Sequence, residues 1–255
     1  NNVIELLKDY LSVGIDPNLS SICLQSKLTS LLELTQYLSN LTSIDQLKHN
    51  PTLKTELAQK KINNLSFFSY PVSQAADILA FDTDIVPVGG DQSPIIELTN
   101  KLARYFNQTY KKNYFKTVET KTSHCPRLKG IDGHNKMSKS LNNAIFLKDS
   151  TDEIKKKVNK MYTDGNVVAY FLDIFDPDQQ GLQLLKDQYT KGGIADGLMK
   201  KRLVEILDSK LKPIRERRLM LENNNDYIIS ILKKGTIEAI EQTESKLKEI
   251  RNIFS

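Results

Sequence analysis

The chain has 255 residues, of which 39% are hydrophobic and 26% are charged, a composition typical of a soluble globular protein. This length allows two domains with at least one sizeable core, and no apolar run approaches the length of a membrane span. Cys23 and Cys125 lie far apart and outside any metal-binding pattern, which favours a reducing compartment and structural thiols over a disulfide.

The net charge of +5 is modest, but it is concentrated in one segment. Eight basic and three acidic residues lie between Lys200 and Arg218, so this segment alone accounts for the excess. A basic stripe can bind a phosphate backbone, and it can equally form a solvated helix face. The charges alone leave both interpretations open.

Helical and strand patterns alternate in the first part of the chain. Apolar residues recur at helical spacing over residues 2–11 and 28–38, which predicts two amphipathic helices. Residues 21–25 form a short apolar run that predicts a buried strand. Asn50-Pro51-Thr52 then marks the start of another helix.

The stretch from Tyr70 to Gln92 carries the strongest local signal. Pro71 suits the first turn of a helix, where its missing N–H is not needed. Tyr70, Gln74 and Asp77 follow at spacings of four and three, so they share one helix face. Polar groups among small apolar neighbours are costly to bury unless something hydrogen-bonds to them.

A predicted strand follows this helix at residues 85–88. Gly89-Gly90-Asp91-Gln92 ends the strand and lets the backbone approach a ligand closely. Ser93 is predicted to cap a helix over residues 93–106. Open α/β sheets bind ligands at such strand ends. Asp77 alone is most simply a local cap or ion-pair partner, but together with this turn it predicts a pocket.

Another strand is predicted near residues 114–118, within a basic and aromatic segment. The alternation of helices and strands up to this point predicts an α/β fold with a parallel sheet.

The second half of the chain is predicted to be helical. Residues 150–153, Ser-Thr-Asp-Glu, are a capping-box signature, and another helix is expected over residues 181–193. Pro213 is expected to kink the remaining helical run and Gly235 to break it. A domain boundary is therefore predicted near residues 141–150.

A second group of candidate ligand-binding residues precedes that boundary. The turn-rich segment Gly130–Gly133 is followed by Lys136-Met137-Ser138-Lys139-Ser140. Lysine is a compact, mobile cation with three donors. A loop carrying Lys136 and Lys139 can close on a polyphosphate and stabilise charge as pyrophosphate leaves.

The pentapeptide KMSKS resembles the signature loop of class I aminoacyl-tRNA synthetases. The segments at 70–79 and 86–92 resemble the tryptophanyl-tRNA synthetase family, closest to its bacterial or organellar type. Further resemblance lies at residues 50–52, 130–133, 161–164 and 192–218, so it covers nearly the whole chain in order.

This resemblance implies a two-domain organisation. Residues 1–141 would form a Rossmann-like catalytic domain whose N-terminal strand–helix units are missing and would lie before Asn1. Residues 142–255 would form a helical C-terminal domain that binds the tRNA anticodon. The family's His-x-Gly-His-like element is absent, and Gly90 replaces an acidic residue that is common in the family.

The resemblance also implies a tryptophan pocket. Asp77 matches the position that accepts a hydrogen bond from the indole N–H, which suits an acceptor-only carboxylate. Tyr70, Gln74 and Gln92 match positions around the α-amino group and the ring. The apolar wall of the pocket matches Val86 and Val88.

The ATP site implied by the family has two parts. Lys136 and Lys139 match catalytic lysines that hold pyrophosphate, and Met137 matches a backbone contact to adenine. The same loop adds donors from Ser138 and Ser140. The turn facing adenosine matches Gly89, Gly90 and Asp91, and a further phosphate-binding lysine aligns with Lys54.

The implied reaction is the activation of tryptophan by ATP-Mg²⁺ and transfer of the acyl group to tRNA-Trp. A homodimer in the cytoplasm is expected, with a mitochondrion or other organelle as the alternative compartment and no membrane partner. Two other functions stay open: a tyrosyl-tRNA synthetase, and a non-catalytic synthetase paralogue that binds RNA or a protein partner.

Overall fold

The computed structural model describes residues 2–60, 64–125, 127–161, 166–192 and 195–254. The predicted motif at residues 161–164 and the predicted helix end at residues 192–193 fall partly outside these ranges. The elements, in chain order, are α1 (Asn2–Ser12), α2 (Ser30–Ser39), α3 (Ile44–Lys48), α4 (Pro51–Lys60), α5 (Leu65–Leu79), β1 (Ile85–Pro87), α6 (Ser93–Tyr110), β2 (Glu119–Lys121), α7 (Thr151–Asn159), α8 (Asn166–Phe175), α9 (Gln179–Thr190), α10 (Asp196–Leu221) and α11 (Asn225–Arg251).

The chain divides into two compact units whose boundaries differ from the predicted one. The first unit comprises Asn1–Ser20 and Leu128–Ile229, and the second comprises Ser21–Arg127 and Ser230–Ser255. No single boundary near residue 141 separates the two units. Helix α1 packs against α10 and so belongs to the first unit, whereas the C-terminal residues belong to the second unit. The functional division into catalytic and tRNA-binding parts stays a prediction.

The first unit is a helical assembly around its own apolar core. Helix α10 packs against α1, α7 and α8. The capping box predicted before α7 is confirmed, because the Ser150 side chain and the Glu153 side chain bond reciprocally to each other's backbone N–H. The most deeply buried core residues are Ile154, Val158, Met161, Phe171, Leu172 and Leu203.

Several cations of the basic stripe support this unit. Lys200 is buried and its Nζ donates to the main-chain oxygens of Asn159 at 3.1 Å and Met161 at 3.0 Å, at the end of α7. Arg218 is buried and forms ion pairs with Glu5 and Asp9 of α1. The hydrogen bonds and ion pairs replace the hydration that these cations lose on burial. The basic stripe is therefore not exposed to solvent along its whole length.

The second unit contains the sheet. Strands β1 and β2 pair in parallel, with Ile85 opposite Glu119 and Pro87 opposite Lys121. Within the described ranges this two-stranded sheet is the only one. The α/β prediction is confirmed, although helices dominate. The apolar core of this unit lies mainly on α2, α5 and α6.

The strand predicted at residues 21–25 is wrong. Residues 21–24 are irregular, and a single 3-10 turn covers Gln25–Lys27. The Leu24 N–H donates to the Thr236 hydroxyl of α11 at 3.0 Å rather than to a neighbouring strand. An apolar run forms a β-strand only where a neighbouring strand supplies hydrogen-bond partners for its backbone.

The strand predicted near residues 114–118 is also misplaced, because β2 begins at Glu119. Asparagine side chains of α6 form hydrogen bonds with the backbone of this segment. The Asn107 Oδ1 accepts from the N–H groups of Tyr114 and Phe115, and Asn100 bonds both the N–H and the C=O of Val118. Those groups are satisfied without a second strand.

Helix α5 begins at Leu65, earlier than a first turn at Pro71 would predict. The Asn64 side chain caps it by accepting from the Phe67 N–H at 2.9 Å, as asparagine does at helix N-termini. Pro71 therefore lies inside the helix rather than in its first turn. Similarly, Ser93 is the first residue of α6 and not its cap, since Gln92 occupies that position.

Helix α11 passes through Gly235 without the predicted break. A Cβ at residue 235 would lie 2.5 Å from the Ile22 carbonyl oxygen. This glycine therefore serves close packing of the helix against the irregular segment, not helix termination. Pro213 lies inside the continuous helix α10. None of the described helices is long and apolar enough to cross a membrane.

Candidate functional site

The predicted polar face of α5 is present in the second unit. Tyr70, Gln74 and Asp77 are all half-buried, while the intervening Ala75 and Ala76 are fully buried. Helical spacing therefore places three polar groups along the boundary between core and surface, as the sequence predicts.

Asp77 has one engaged and one unengaged carboxylate oxygen. The Gln25 Nε2 donates to Oδ2 at 2.7 Å, whereas Oδ1 is buried and accepts no hydrogen bond from the described residues. Burial raises the pKa of Asp77, and the bond from Gln25 opposes that rise. A buried acceptor without a donor is costly, so Asp77 is suited to a ligand that donates a hydrogen bond.

Cys23 lies in the environment of this carboxylate. Burial and the charge of Asp77 raise the pKa of the Cys23 thiol. The cysteine therefore stays a protonated, weakly polar group rather than a reactive thiolate. Cys23 and Cys125 are not joined by a disulfide.

Tyr70 supplies a second buried polar atom. No described residue forms a well-directed hydrogen bond with its hydroxyl, although the Glu56 carboxylate is close enough to affect it. Burial, followed by Glu56, raises the pKa of Tyr70 to about 12. The phenol is thus a neutral donor.

Gln74 and Gln92 connect the helix face to the end of the strand. The Gln74 Nε2 lies 3.5 Å from the Gln92 Oε1, which is long for a direct hydrogen bond. The strand predicted at residues 85–88 is present as β1, but it is not buried, because Ile85 and Pro87 are exposed and only Val86 is half-buried. Val86 and Val88 nevertheless pack against the core of this unit.

The turn after β1 is braced by the start of α4. Gly90–Gln92 forms a 3-10 turn, and the Thr52 hydroxyl donates to the Asp91 carbonyl at 2.9 Å. The Asn50 Oδ1 caps α4 by accepting from Thr52 N–H at 3.1 Å, and its Nδ2 donates to the Pro94 carbonyl at 3.0 Å.

These hydrogen bonds connect the two segments of this unit that carry residues predicted to bind ATP. Thr52 ties the N-terminus of α4 to the turn that carries Gly89, Gly90 and Asp91. Lys54 is exposed in the first turn of the same helix.

The KMSKS loop belongs to the first unit. Its backbone is attached on one side, where Met137 N–H donates to the Leu128 carbonyl at 3.0 Å and Lys136 forms a β-bridge with Lys129. The side chain of Met137 packs on the core of this unit, whereas Lys139 is exposed. The hydroxyls of Ser138 and Ser140 lie 2.8 Å apart.

The predicted site residues thus fall into two groups. The second unit holds the residues predicted for tryptophan, the turn predicted to face adenosine, and Lys54. The first unit holds the loop predicted to bind pyrophosphate, including Met137, the predicted contact to adenine. Within the described ranges, no cluster of three or more His, Cys, Asp or Glu side chains has the arrangement of a metal site.

Sequence analysis missed Gln25 and Asn143. The apolar run at residues 21–25 places Gln25 in a predicted strand. In the structure Gln25 instead contacts Asp77, 52 residues further along the chain. Its position directly after the apolar residues 22–24 is the only local signal that could have suggested it. Asn143 follows the lysine loop and is buried, and its side-chain partners lie within 11 residues of it in an irregular loop.

Comparison with known proteins gives the family. The profile described as "tRNA synthetases class I (W and Y)" matches residues 1–207. The chain therefore belongs to the class I tRNA synthetases for tryptophan and tyrosine, which confirms the enzyme class predicted from the KMSKS loop.

Relatives and solved structures agree with this assignment. The chain is 44% identical over 272 residues to a tryptophan–tRNA ligase of Streptococcus mutans, covering 98% of the chain and 80% of the relative. It is 42% identical to one of Lactococcus lactis with the same coverage. The structure of tryptophanyl-tRNA synthetase from Campylobacter jejuni complexed with ADP and tryptophan matches with a TM-score of 0.81 and 31% identity, over 98% of this chain and 81% of that one.

Proposed function

We propose that the chain activates tryptophan with ATP to tryptophanyl-adenylate and transfers the acyl group to tRNA-Trp. The observation that carries this proposal is the buried, unengaged Oδ1 of Asp77. Indole offers one donor and no acceptor, so a carboxylate oxygen is its natural partner. Phenylalanine would leave that oxygen unpaired and be rejected.

The comparisons support tryptophan as the amino acid. The bacterial relatives at 42–44% identity are named tryptophan–tRNA ligases, and the Campylobacter jejuni protein is described with tryptophan and ADP bound. The present chain keeps the polar helix face that the resemblance assigns to tryptophan and the strand-end turn that it assigns to adenosine.

Other groups of the second unit complete the proposed tryptophan pocket. Gln74 and Gln92 supply amide oxygens that can accept hydrogen bonds from the α-amino group, and Tyr70 supplies a neutral hydroxyl. Val86 and Val88 form an apolar wall for the ring, as the partial burial of both supports. Apolar walls with a few placed polar groups are typical of ligand pockets.

ATP, taken with Mg²⁺ as the substrate, is proposed to bind the residues that the family resemblance assigns to it. The turn Gly89-Gly90-Asp91 would face adenosine, and Lys54 would contact phosphate. Lys136 and Lys139 would hold the departing pyrophosphate, with Met137, Ser138 and Ser140 adding contacts from the same loop. Lysine suits this role as a mobile point charge.

In the proposed reaction the tryptophan carboxylate attacks the α-phosphate of ATP, and pyrophosphate leaves. No side chain acts as a nucleophile, so the rate comes from positioning and from stabilising charge on the leaving group. The lysines of the loop are the residues whose cationic charge meets that need.

The wider setting of the enzyme follows the same proposal. Residues 1–141 would contain the catalytic part and residues 142–255 the part that binds the tRNA anticodon. A homodimer is proposed, which light scattering of the purified protein tests. The proposed compartment is the cytoplasm, in keeping with the bacterial source of the relatives.

The decisive experiment is ATP–pyrophosphate exchange measured with tryptophan, tyrosine or phenylalanine as the only amino acid. Exchange that depends on tryptophan supports the proposal. Exchange with tyrosine supports the tyrosyl alternative, and no exchange with any of the three supports a non-catalytic paralogue. Charging of a tRNA-Trp transcript then tests the transfer step separately.

A further inference from the structure

Asn143 is a buried polar residue directly behind the lysine loop. Only 3% of its surface is exposed. Its Oδ1 accepts from the Ser138 N–H at 2.8 Å, and its Nδ2 donates to the Asp132 Oδ2 at 3.0 Å and to the Lys136 carbonyl at 3.3 Å. Its own carbonyl accepts from the Ile131 N–H at 2.9 Å. The side chain is thus fully occupied within the protein.

Asp132 extends this network to the turn before the loop. Its Oδ1 accepts from the backbone N–H groups of His134 at 3.2 Å and Asn135 at 3.3 Å. Hydrogen bonds, that from Asn143 foremost, lower the pKa of Asp132. The carboxylate is held ionised as an acceptor for three residues around it.

Gly130 makes room for this network. A Cβ at residue 130 would lie 2.2 Å from the Asn143 Nδ2, a distance that no side-chain carbon could adopt. The glycine-rich turn, Asp132 and Asn143 therefore form one brace, which depends on glycine at residue 130 for close approach.

The brace grips the loop at two points. It holds the carbonyl of Lys136 and the N–H of Ser138, which flank Met137. A turn from the Lys139 carbonyl to the Asn142 N–H, 3.2 Å, closes the other end of the loop. The backbone that carries both lysines is thus fixed from behind while the side chain of Lys139 stays exposed.

We propose that Asn143 and Asp132 are positioning residues for the ATP step, acting through the backbone of the lysine loop. The inference rests on the proposed function. Neither residue is among those proposed to bind tryptophan. Removing the brace leaves both lysines in the chain but frees their backbone, so the positioning contribution to the rate is lost.

A simple structural role makes a different prediction. A buried amide whose loss only weakened the fold would lower stability and all activities together. A positioning role lowers the rate of adenylate formation at saturating ATP while tryptophan affinity stays constant.

The test compares four variants with the wild type: Asn143→Ala, Asn143→Asp, Asp132→Asn, and Asp132→Asn combined with Asn143→Asp. The exchanged pair restores one donor–acceptor contact between the two residues, with the roles reversed. For each variant, kcat and the ATP KM in pyrophosphate exchange are measured, with tryptophan Kd and thermal unfolding alongside. Asn142→Gly is the matched control, because Asn142 is exposed and already has a φ of 51°.

The inference predicts that Asn143→Ala and Asn143→Asp each lower kcat at saturating ATP by about tenfold or more, within the range that misplaced groups cost. Tryptophan Kd should stay within about twofold, and the exchanged pair should recover part of the lost rate, as coupled neighbours do. Asn142→Gly should behave as the wild type.

Two results would overturn the inference. One is exchange by Asn143→Ala at the wild-type rate, and the other is a parallel loss of tryptophan affinity, exchange and thermal stability. A wild-type protein without tryptophan-dependent exchange would instead refute the proposed function, and the inference with it. An active wild type with unaffected variants refutes the inference alone.

Discussion

The Gln25 Nε2 lies 2.7 Å from the Asp77 Oδ2, and this contact joins residues 52 positions apart. It engages one oxygen of the carboxylate and leaves the buried Oδ1 as the oxygen available to a ligand. The bond also opposes the effect of burial, which raises the pKa of Asp77. Gln25 therefore helps to keep Asp77 an ionised acceptor.

Asp77→Ala is predicted to weaken tryptophan binding. The indole N–H would lose its acceptor, which costs about 1–3 kcal/mol, or roughly 5- to 150-fold in Kd. Equilibrium titration of the variant with tryptophan measures this change. Asp45→Ala serves as the control, because Asp45 is an exposed residue at the start of α3. Unchanged tryptophan affinity in Asp77→Ala would remove Asp77 from the pocket.

Gln25→Leu is predicted to weaken tryptophan binding less than Asp77→Ala does. The variant removes a partly exposed hydrogen bond, worth about 1 kcal/mol or roughly fivefold in Kd. In this variant the pKa of Asp77 should rise further, so tryptophan affinity should fall more steeply below neutral pH than it does in the wild type. Titrations at several pH values measure both effects.

The control for Gln25→Leu is Gln36→Leu, which removes an exposed amide on α2 that bonds only to Asn40 one turn along the helix. Tryptophan affinity should be unchanged in that variant. A Gln25→Leu protein with the wild-type pH profile would show that Gln25 does not tune Asp77.

Local periodicity predicted much of the helical architecture. The apolar spacing in α1 and α2 and the capping box before α7 depend on neighbours within a few residues, and all three are confirmed. The shared face of Tyr70, Gln74 and Asp77 follows from the same helical geometry.

The errors arose where distant residues decide the local structure. Residues 114–118 contain strand-forming residues, but Asn107 and Asn100 take their backbone hydrogen bonds. Gly235 resembles a helix breaker until Ile22 is known to pack against it. Gln25 was missed for the same reason, because its contact with Asp77 spans 52 residues. Asn143 was missed for another reason: its partners lie within 11 residues, but in an irregular loop that neither helical nor strand periodicity describes.

Asp77→Asn is predicted to increase stability at neutral pH. Burial raises the pKa of Asp77 in the folded state above its ordinary value of 3.8, which applies to the unfolded state. Between those two pKa values the folded state binds more protons, so the stability of the wild type falls as pH rises through this window and stays lower above it. An uncharged amide of the same shape avoids that penalty.

Urea unfolding at pH 7 and at acidic pH measures this difference. The free energy of unfolding of Asp77→Asn should exceed that of the wild type at pH 7, and the gap should close as pH falls below about 4, where Asp77 is protonated in both states. Asp45→Asn should show no such gap. A less stable Asp77→Asn at pH 7 would mean that the bond from Gln25 outweighs the cost of burial.

Lys139→Ala is predicted to slow adenylate formation without weakening tryptophan binding. Removing one preorganised charge from the leaving pyrophosphate should lower the exchange kcat by about 10²–10³. Lys139 is exposed, so the free energy of unfolding should change by less than about 0.5 kcal/mol. Lys139→Arg keeps the charge but changes the donor geometry, and it should recover only part of the rate.

Pyrophosphate exchange, tryptophan titration and urea unfolding of the same preparations separate these effects. Lys155→Ala is the control, since Lys155 is an exposed lysine of the same unit, on α7. It should leave all three measurements unchanged. Lys139 is not among the residues proposed to bind tryptophan, so loss of exchange in Lys139→Ala should leave the affinity for tryptophan intact. Equal losses of exchange rate and tryptophan affinity would make the loop a binding element only, and the assignment of charge stabilisation to Lys139 would then be wrong.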